Sequence, residues 1–416
     1  MRPLTVIGYW LLAIVPALAG NRIYSPQVKT LQAVVNLDWL SPAVMQLGSD
    51  DVLNISFDEL SHDYHRYICH IERCEADWTT AGEVFESDWL EGFNDIVVDD
   101  CEPSINTIIP YTHYRLQIPN DLCRLKLSGN YRLHIIDDDT QQEHASVELM
   151  VTEQTMALAC GITTNTDIGH NTSHQQLSMS LSYGQWSVTN PQKQIYTVVR
   201  QNNRDDNSRH NVSPTAVSTK GMEWTHHRQL IFDGGNEYRK YEVLDPSHPT
   251  MGIDHIHWDG TSYQVFPFIS EPRPGYIYDE DANGSFYIRN SDNIQNDITT
   301  EYVWVNYRLL IPPSSLLPPH SSICIDGQWT TESPDSYIMT YDETTSLFTA
   351  SILQKQGYYS YQYLWQDPEG NRHVLPSEGN FYQTENRYQV YIYYKGTGER
   401  TWRLVSYRDL RYSSGV

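Results

Sequence analysis

Tyrosines at alternate positions constrain the fold of this chain more than any other feature. Tyr359, Tyr361 and Tyr363 are spaced two apart, and so are Tyr391 and Tyr393. A spacing of two places side chains on one face of an extended strand, whereas a helix would scatter them around its axis. The two runs therefore predict strands built from tyrosine. The turn-forming residues of segment 367–371, which lie between the runs, predict a tight connection.

Aromatic residues with a polar edge dominate the whole chain, since 30 Tyr and 11 Trp stand against 9 Phe. Such rings suit faces that are half buried, or that become buried only when a partner binds. The tyrosine strands therefore suit two roles, a place in the core or contact with a partner.

Short strand-like runs, such as residues 52–57, 130–136 and 302–311, recur along the chain with Gly, Pro, Asn and Asp between them. No segment has a long helical period with capping residues. The pattern predicts an all-β protein of tandem immunoglobulin-like, early-set β-sandwich domains.

Two polar stretches, 165–176 and 290–300, interrupt the strand pattern. They predict boundaries between domains, and the polar segment 201–213 predicts a long loop. The expected division is a signal peptide at 1–19, an N-terminal β-sandwich at 20–155, a middle β domain at 156–298 and a C-terminal immunoglobulin-like sandwich at 299–416.

The first 19 residues have the three parts of a secretory signal peptide in order. Arg2 precedes an apolar run at 4–15, and Ala17-Leu18-Ala19 is a small-residue cleavage site. The apolar run is too short to span a bilayer, and no later segment is apolar enough to do so. We therefore expect cleavage after Ala19 and a mature protein that is exported and either soluble or peripherally bound.

The net charge of −24 argues against nucleic acid and anionic lipid as partners, because both carry the same sign of charge. An exported chain permits disulfides, and six cysteines allow 15 complete pairings. A bond between Cys101 and Cys123 is one expectation and free buried thiols are the other. The six cysteines are Cys69, Cys74, Cys101, Cys123, Cys160 and Cys324.

Residues 279–284 match the first half of a calcium-binding loop, which has oxygen ligands at alternate positions and a glycine at the sixth. The twelfth position is Asn290, where a bidentate Glu is needed, so a hairpin turn at Asn283-Gly284 is favoured. His255 and His257 share a strand face and His226 adjoins His227, but the spacing supplies no third metal ligand.

The chain contains no nucleophile elbow, zinc-binding helix motif or phosphate loop. Carboxylates are plentiful, but nothing in their spacing singles out a glycosidase pair. We therefore expect no enzymatic activity and assign no catalytic, cofactor or metal residues.

The strand order of the last block resembles the early-set sandwiches of glycogen- and starch-binding modules. The resemblance covers about sixty residues, from the run at 302–311 through Trp329 to the Tyr359–Tyr363 run. It implies a sandwich fold. It also leaves open an exported carbohydrate-binding protein whose aromatic rings stack on glycan, or a glycoside hydrolase.

A series of short strings covers nearly the whole mature chain and together resembles the plug proteins of the type IX secretion system of Bacteroidota. One departure is Arg73, where a histidine usually stands. The strings include 71–78 (IERCEADW), 89–93 (WLEGF), 128–131 (SGNY), 201–204 (QNNR), 234–239 (GGNEYR), 355–359 (KQGYY) and 378–381 (EGNF).

This resemblance implies an exported periplasmic protein that docks on the giant outer-membrane β-barrel translocon and closes its periplasmic opening. It implies no catalytic residue and no cofactor. The tyrosine-rich strands are compatible with a releasable seal, because such an interface needs rings with polar edges.

Overall fold

The computed structural model describes residues 20–312 and 317–414, so the predicted signal peptide at 1–19 lies outside the described residues. Almost all regular structure in the described ranges is β-strand, as the sequence predicts. Within these ranges, no helix combines the length and apolar character that crossing a membrane would require.

The first sandwich packs a four-stranded sheet, β2-β4-β9-β8, against the group of strands around β11 and β12. Phe57, Tyr67 and Tyr114 meet in its core with ring centroids 5.0–5.2 Å apart. Its elements are β1 Arg22–Ile23, β2 Val28–Val35, β3 Val44–Gln46, β4 Leu53–Glu59, β5 Tyr67–Cys74, α1 Glu86–Trp89, β6 Leu90–Gly92, β7 Ile96–Val98, β8 Asp100–Pro103, β9 Thr112–Ile118, β10 Cys123–Leu125, β11 Gly129–Asp137 and β12 Glu143–Thr152.

The second sandwich begins directly afterwards and is left incomplete at its seventh strand. Its elements are β13 Ala157–Thr163, β14 His174–Ser182, α2 Pro191–Gln194, β15 Ile195–Gln201, β16 Arg204–His210, β17 Ala216–Val217, β18 Gly221–Trp224, the 3-10 turn Arg228–Leu230 and β19 Ile231–Asp233.

A third sandwich follows before the second one is completed. Two five-stranded sheets enclose its core, one centred on β28 and the other running β21-β22-β24-β27-β26. Its elements are β20 Arg239–Val243, β21 Ile253–Trp258, β22 Tyr263–Pro267, β23 Phe286–Ile288, α3 Asn296–Thr299, β24 Tyr302–Leu309, β25 Ser322–Asp326, the 3-10 turn Pro334–Tyr337, β26 Thr340–Asp342, β27 Leu347–Lys355, β28 Gly357–Gln366 and β29 Arg372–Val374.

The last two strands, β30 Asn386–Tyr394 and β31 Arg403–Tyr412, return to the second sandwich. Strand β30 pairs with the whole length of β15, from Tyr388 opposite Gln201 to Tyr394 opposite Ile195. Strand β31 meets β12 of the first sandwich in a short parallel contact between Leu404 and Thr152. The first two sandwiches therefore share one ten-stranded sheet.

Strand pairing crosses the boundary expected at residue 299 in both directions. Strands β20 and β23 pair with β28, whereas β30 pairs with β15. Three separate apolar cores follow the same division. We propose a division into residues 20–153, residues 154–235 with 385–414, and residues 236–384 inserted between these two segments.

The alternating tyrosines lie on strands, as predicted, but their rings face the interior. Tyr359, Tyr361 and Tyr363 on β28 are 3%, 3% and 1% exposed in the core of the third sandwich. The connection at 367–371 is the predicted tight turn between β28 and β29, closed by a hydrogen bond from the Gly370 amide to the Asp367 carbonyl. Of the two roles that the sequence left open, core and partner contact, the rings of β28 take the core.

Candidate functional site

A cavity of about 620 Å³ lies where the three sandwiches meet. Each sandwich contributes part of its wall, and charged side chains from all three sandwiches line it. Representative lining residues are Arg22 and Trp39 from the first sandwich, Arg200 and Arg204 from the second, and Asp326 and Arg372 from the third.

Strand β16 forms one wall of the cavity. The prediction of a long loop at 201–213 is therefore wrong, because most of that segment is this strand. The guanidinium of Arg204 binds both carboxylate oxygens of Asp206, at 3.1 and 2.6 Å, and approaches Asp326 at 3.5 Å. Arg372 reaches the other oxygen of Asp326 at 3.1 Å. Burial alone would raise the pKa of Asp206, but Arg204 holds that pKa below its usual range.

This chain of ion pairs explains why sequence patterning missed the strand. The segment reads RDDNSRH, a composition that is typical of a solvated loop. It is extended because its backbone pairs with β15 and its charges are matched by residues more than a hundred positions away, such as Asp326. No local period encodes such partners.

A buried ion pair lies at the junction between the first and third sandwiches. The Lys355 ammonium lies 2.7 Å from Oδ2 of Asp58, and the Asp58 carboxylate also accepts the Tyr302 hydroxyl at 2.6 Å. His113 contacts the other carboxylate oxygen at 2.5 Å. Burial opposes ionisation of Asp58, but Lys355 and His113 hold its pKa below the usual range. Burial also lowers the pKa of Lys355.

Arg73, where the resembling family usually has histidine, joins the first sandwich to the second. Its guanidinium donates to the carbonyls of Ser128 and Asn130 at 2.6 and 3.1 Å, and to the carbonyl of Trp402 at 2.6 Å. The Tyr393 hydroxyl donates to the Asn130 side chain across the same junction at 2.8 Å. Polar contacts therefore lock all three sandwiches together.

The tyrosines of β30 divide between two interiors. Tyr388 belongs to the core of the second sandwich, whereas Tyr391 and Tyr393 pack with Trp78 and Met150 of the first sandwich. The predicted common face of Tyr391 and Tyr393 is thus confirmed, and it is buried within this chain.

One exposed apolar surface, here called the Phe268 patch, consists of Met251, Phe268, Ile269 and Leu310. The amide of Phe268 donates to Gly252 and that of Leu310 donates to Ser270, which brings the ends of β21, β22 and β24 together. The four side chains are 43%, 61%, 42% and 37% exposed. The Arg308–Asp254 ion pair, at 2.9 Å, borders the patch. An apolar centre with a polar border is the usual anatomy of a protein interface.

Residues 279–284 form the turn that the sequence favours. Asn283 and Gly284 have φ of 48° and 86°, and the Ser285 amide donates to the Ala282 carbonyl at 3.0 Å. No strand precedes the turn, and β23 pairs with β28, so the expected hairpin is wrong. The Asp281 carboxylate accepts the amides of Tyr238 and Asn283, and burial raises the pKa of Asp281 to about 7.

His255 and His257 lie on exposed positions of β21, as the strand spacing predicts. The His255 ring stacks on Phe266 with centroids 4.4 Å apart and its Nδ1 contacts Asp254 at 3.0 Å. The His227 side chain accepts the amide of Gln229 at the start of a 3-10 turn. Over residues 20–312 and 317–414, no three His, Cys, Asp or Glu side chains converge as a metal site would require.

All six cysteines carry free thiols. The expected bond between Cys101 and Cys123 is absent, because Cys123 points into the core of the first sandwich while Cys101 lies half-buried on β8. The alternative of free thiols agrees with the structure. Burial raises the pKa of Cys74 and Cys160 to about 12.

The fold and its polar junctions define an all-β protein of three interlocked sandwiches. A family profile described as the type 9 secretion system plug protein 1st domain matches residues 28–153, which is the first sandwich without β1. Through this domain the chain is assigned to the type 9 secretion system plug protein family. This membership associates the protein with type 9 secretion.

A crystal structure of a hypothetical protein from Parabacteroides merdae superimposes on the chain with a TM-score of 0.90 and 33% identity, covering 94% of this chain and 99% of that chain. The C-terminal domain of the Streptococcus pyogenes antigen I/II-family protein AspA aligns at 8% identity over 92% of this chain and 99% of that one, but with a TM-score of 0.17, which indicates no shared fold. No curated protein matches the chain.

Proposed function

We propose that the protein docks on the outer-membrane translocon barrel of the type 9 secretion system and closes its periplasmic opening. The observation that carries the proposal is the match of the first sandwich to the plug family. The interlocked architecture supports it. A body that closes an opening must keep its shape, and here a shared sheet and buried ion pairs join the three sandwiches.

Docking requires a surface that is stable in water and still offers apolar contact. The Phe268 patch meets this requirement, because its four apolar side chains adjoin a neutral ion pair rather than an excess of charge. We propose this patch as one contact with the barrel. The net charge of −24 opposes attraction to an anionic lipid surface, because both carry negative charge.

We propose that the role is non-catalytic. Several charged groups of the central cavity pair with one another, as Arg204 does with Asp206 and Arg372 with Asp326. This arrangement stabilises junctions between sandwiches. Tyr359, Tyr361 and Tyr363 lie in the interior of the third sandwich. Their rings are therefore unavailable for the stacking on glycan that the alternative hypothesis requires.

Co-isolation tests the proposal directly. A tagged copy of this protein, purified from its native outer membrane, should bring down a very large β-barrel protein. Association through apolar contacts should persist at about 0.5 M salt, where exposed ion pairs are strongly screened. Deleting the protein should make the outer membrane permeable to large solutes only while that barrel is present. Unchanged permeability together with failure to co-isolate the barrel would refute the proposal.

A further inference from the structure

Gly20 lies in the wall of the central cavity, between carboxylates of two different sandwiches. Strand β1 pairs antiparallel with β12, with Arg22 opposite Ser146, and this register continued places Gly20 opposite Glu148. The Gly20 amide donates to the Glu148 carboxylate. A Cβ built on Gly20 would lie 3.0 Å from Oδ2 of Asp205, so Asp205 closes the other side.

Asn21 fixes this position from the neighbouring residue. Its side-chain oxygen accepts the backbone amide of Glu148 at 3.0 Å. The space beside the Gly20 Cα is filled by Asp205. The backbone nitrogen of residue 20 is therefore held where the two carboxylates converge.

These two carboxylates share a single close cation. Nη2 of Arg200 lies 2.6 Å from Asp205 and 3.9 Å from Glu148. Glu148 is only 5% exposed, and its Oε1 accepts no hydrogen bond from residues 20–312 or 317–414. A buried carboxylate oxygen with no donor is costly, so a further donor at Oε1 would stabilise the site. Nearby guanidinium nitrogens of Arg22, Arg132 and Arg200 are also buried without a partner among the described residues, so none of them serves this oxygen.

Burial is the main reason that the pKa of Glu148 is raised to about 8 and that the pKa of Asp205 is raised. The charge of Asp205 also opposes ionisation of Glu148, and that of Asp206 opposes ionisation of Asp205. The remaining charged or titratable groups around them are Arg22, Arg132, Asp206 and His210. Asp206 is neutralised by its own partner, Arg204. A further cation between Glu148 and Asp205 would allow both to ionise.

The sequence places a leader cleavage site, Ala17-Leu18-Ala19, immediately before this position. Hydrolysis there breaks the bond between the Ala19 carbonyl carbon and the Gly20 nitrogen. Water supplies the second carboxylate oxygen to Ala19, and both of its hydrogens pass to the Gly20 nitrogen. The products are the Ala19 carboxylate and an α-ammonium group on Gly20 with three donors.

We propose that cleavage after Ala19 supplies a donor for the unpaired Glu148 oxygen, and that the Gly20 α-ammonium binds Glu148 and Asp205 and thereby locks the first sandwich to the second. Removal of the leader would then complete the polar contacts in the wall of the central cavity. This inference rests on the predicted cleavage site and does not depend on docking to a barrel.

The pH dependence of such a lock follows from the sign of the pKa shift. Two nearby carboxylates raise the pKa of an α-ammonium above its ordinary value of about 7.7–8.0. The stabilisation is then fully present below that ordinary value. It is lost as pH rises through the raised value in the folded protein.

The test uses the full chain exported through its own leader. Intact mass should place the first residue at Gly20, and ¹⁵N NMR of that amine should give a pKa about 1 unit or more above the ordinary range of about 7.7–8.0. The variants Glu148→Gln and Asp205→Asn should each lower this pKa toward the ordinary range. Should Glu148→Gln fail to fold, Asp205→Asn, at a less deeply buried carboxylate, gives the same readout.

A matched control is Asp279→Asn, which removes an exposed carboxylate from the third sandwich and should leave the amine pKa unchanged. A mature chain that begins at any residue other than Gly20 would overturn the proposal. So would a Gly20 amine that titrates in the ordinary range, or one that does not respond to Asp205→Asn.

Discussion

The Lys355 ammonium and the Asp58 carboxylate, 2.7 Å apart, are 1% and 0% exposed and belong to different sandwiches. Removing one partner of such a pair leaves an uncompensated buried charge, which costs about 3–5 kcal/mol. We therefore expect Lys355→Met to lower the free energy of unfolding by about that amount, measured by urea denaturation. Lys240→Met, which removes an ion pair with the exposed Asp279, should cost about 1 kcal/mol or less. Equal losses in the two variants would contradict this account of the junction.

His134 should make the stability of the first sandwich fall at alkaline pH. Burial opposes protonation of its ring, but hydrogen bonds and charge from Glu143 and Glu72 raise the pKa of His134 to about 9. Its stabilisation is therefore complete below about 6.5, the ordinary value, and is lost as pH rises through about 9. Unfolding free energies measured between these pH values should decline, and His134→Gln should flatten the decline. An NMR titration of the ring with a midpoint near the ordinary value would contradict the expectation.

The tyrosines of β28 should affect stability and not glycan binding. Tyr361 is 3% exposed and packs against Tyr241, Tyr307 and Tyr363, so Tyr361→Ala should cost about 3–5 kcal/mol. Tyr341→Ala, at a position 53% exposed, should cost about 0.5 kcal/mol or less. A soluble-glycan array should show no binding by the native protein. Binding that Tyr361→Phe abolished without loss of stability would instead restore the carbohydrate-binding hypothesis.

A charge introduced into the Phe268 patch should weaken binding to the barrel. Phe268→Asp and Ile269→Asp each place a carboxylate in an apolar contact, so either should reduce co-isolation of the barrel at least tenfold, which corresponds to about 1.4 kcal/mol. Both side chains are exposed, so the melting temperature should change little. Val217→Asp, on the second sandwich and 50% exposed, is the matched control. Undiminished co-isolation in both patch variants would exclude this surface from the contact.

The six cysteines should remain free thiols. A thiol reagent added to the unfolded, unreduced protein should count all six, and Cys101, the half-buried thiol on β8, should react in the native state before the buried Cys74 and Cys324. Burial raises the pKa of Cys324 to about 11, which keeps it protonated and slow to react. Peptide mapping that found a Cys101–Cys123 disulfide would contradict the structure.

Local pattern predicts the strands of this protein much better than it predicts their partners. The spacing of Tyr359, Tyr361 and Tyr363 correctly indicates β28, and that of Tyr391 and Tyr393 correctly indicates β30. The same spacing cannot show what a face packs against. Tyr361 meets its own core and Tyr391 meets the first sandwich, because that choice depends on residues far away in the chain.

The contacts of the candidate site could be predicted from the sequence even less well than the packing of the strand faces. Asp58 and Lys355 are separated by almost three hundred positions, and each alone resembles an ordinary surface charge. Arg204 and Asp206 looked like parts of a loop, because charged residues are rare in buried strands. Their ion pairs form only after the sandwiches have assembled around them.

The insertion of the third sandwich between β19 and β30 has a consequence for the order of folding. Strands β15 and β30 are neighbours in the sheet, yet residues 202–385 must emerge between them. Under the export that the predicted leader implies, the chain crosses the inner membrane from its N-terminus, and the first sandwich can fold on arrival. The second must wait with an open edge until the last strands follow. Such an edge is prone to aggregation. We therefore expect periplasmic chaperones to associate with translocation intermediates that end between residues 235 and 385, and to release the chain once β30 and β31 close the sheet.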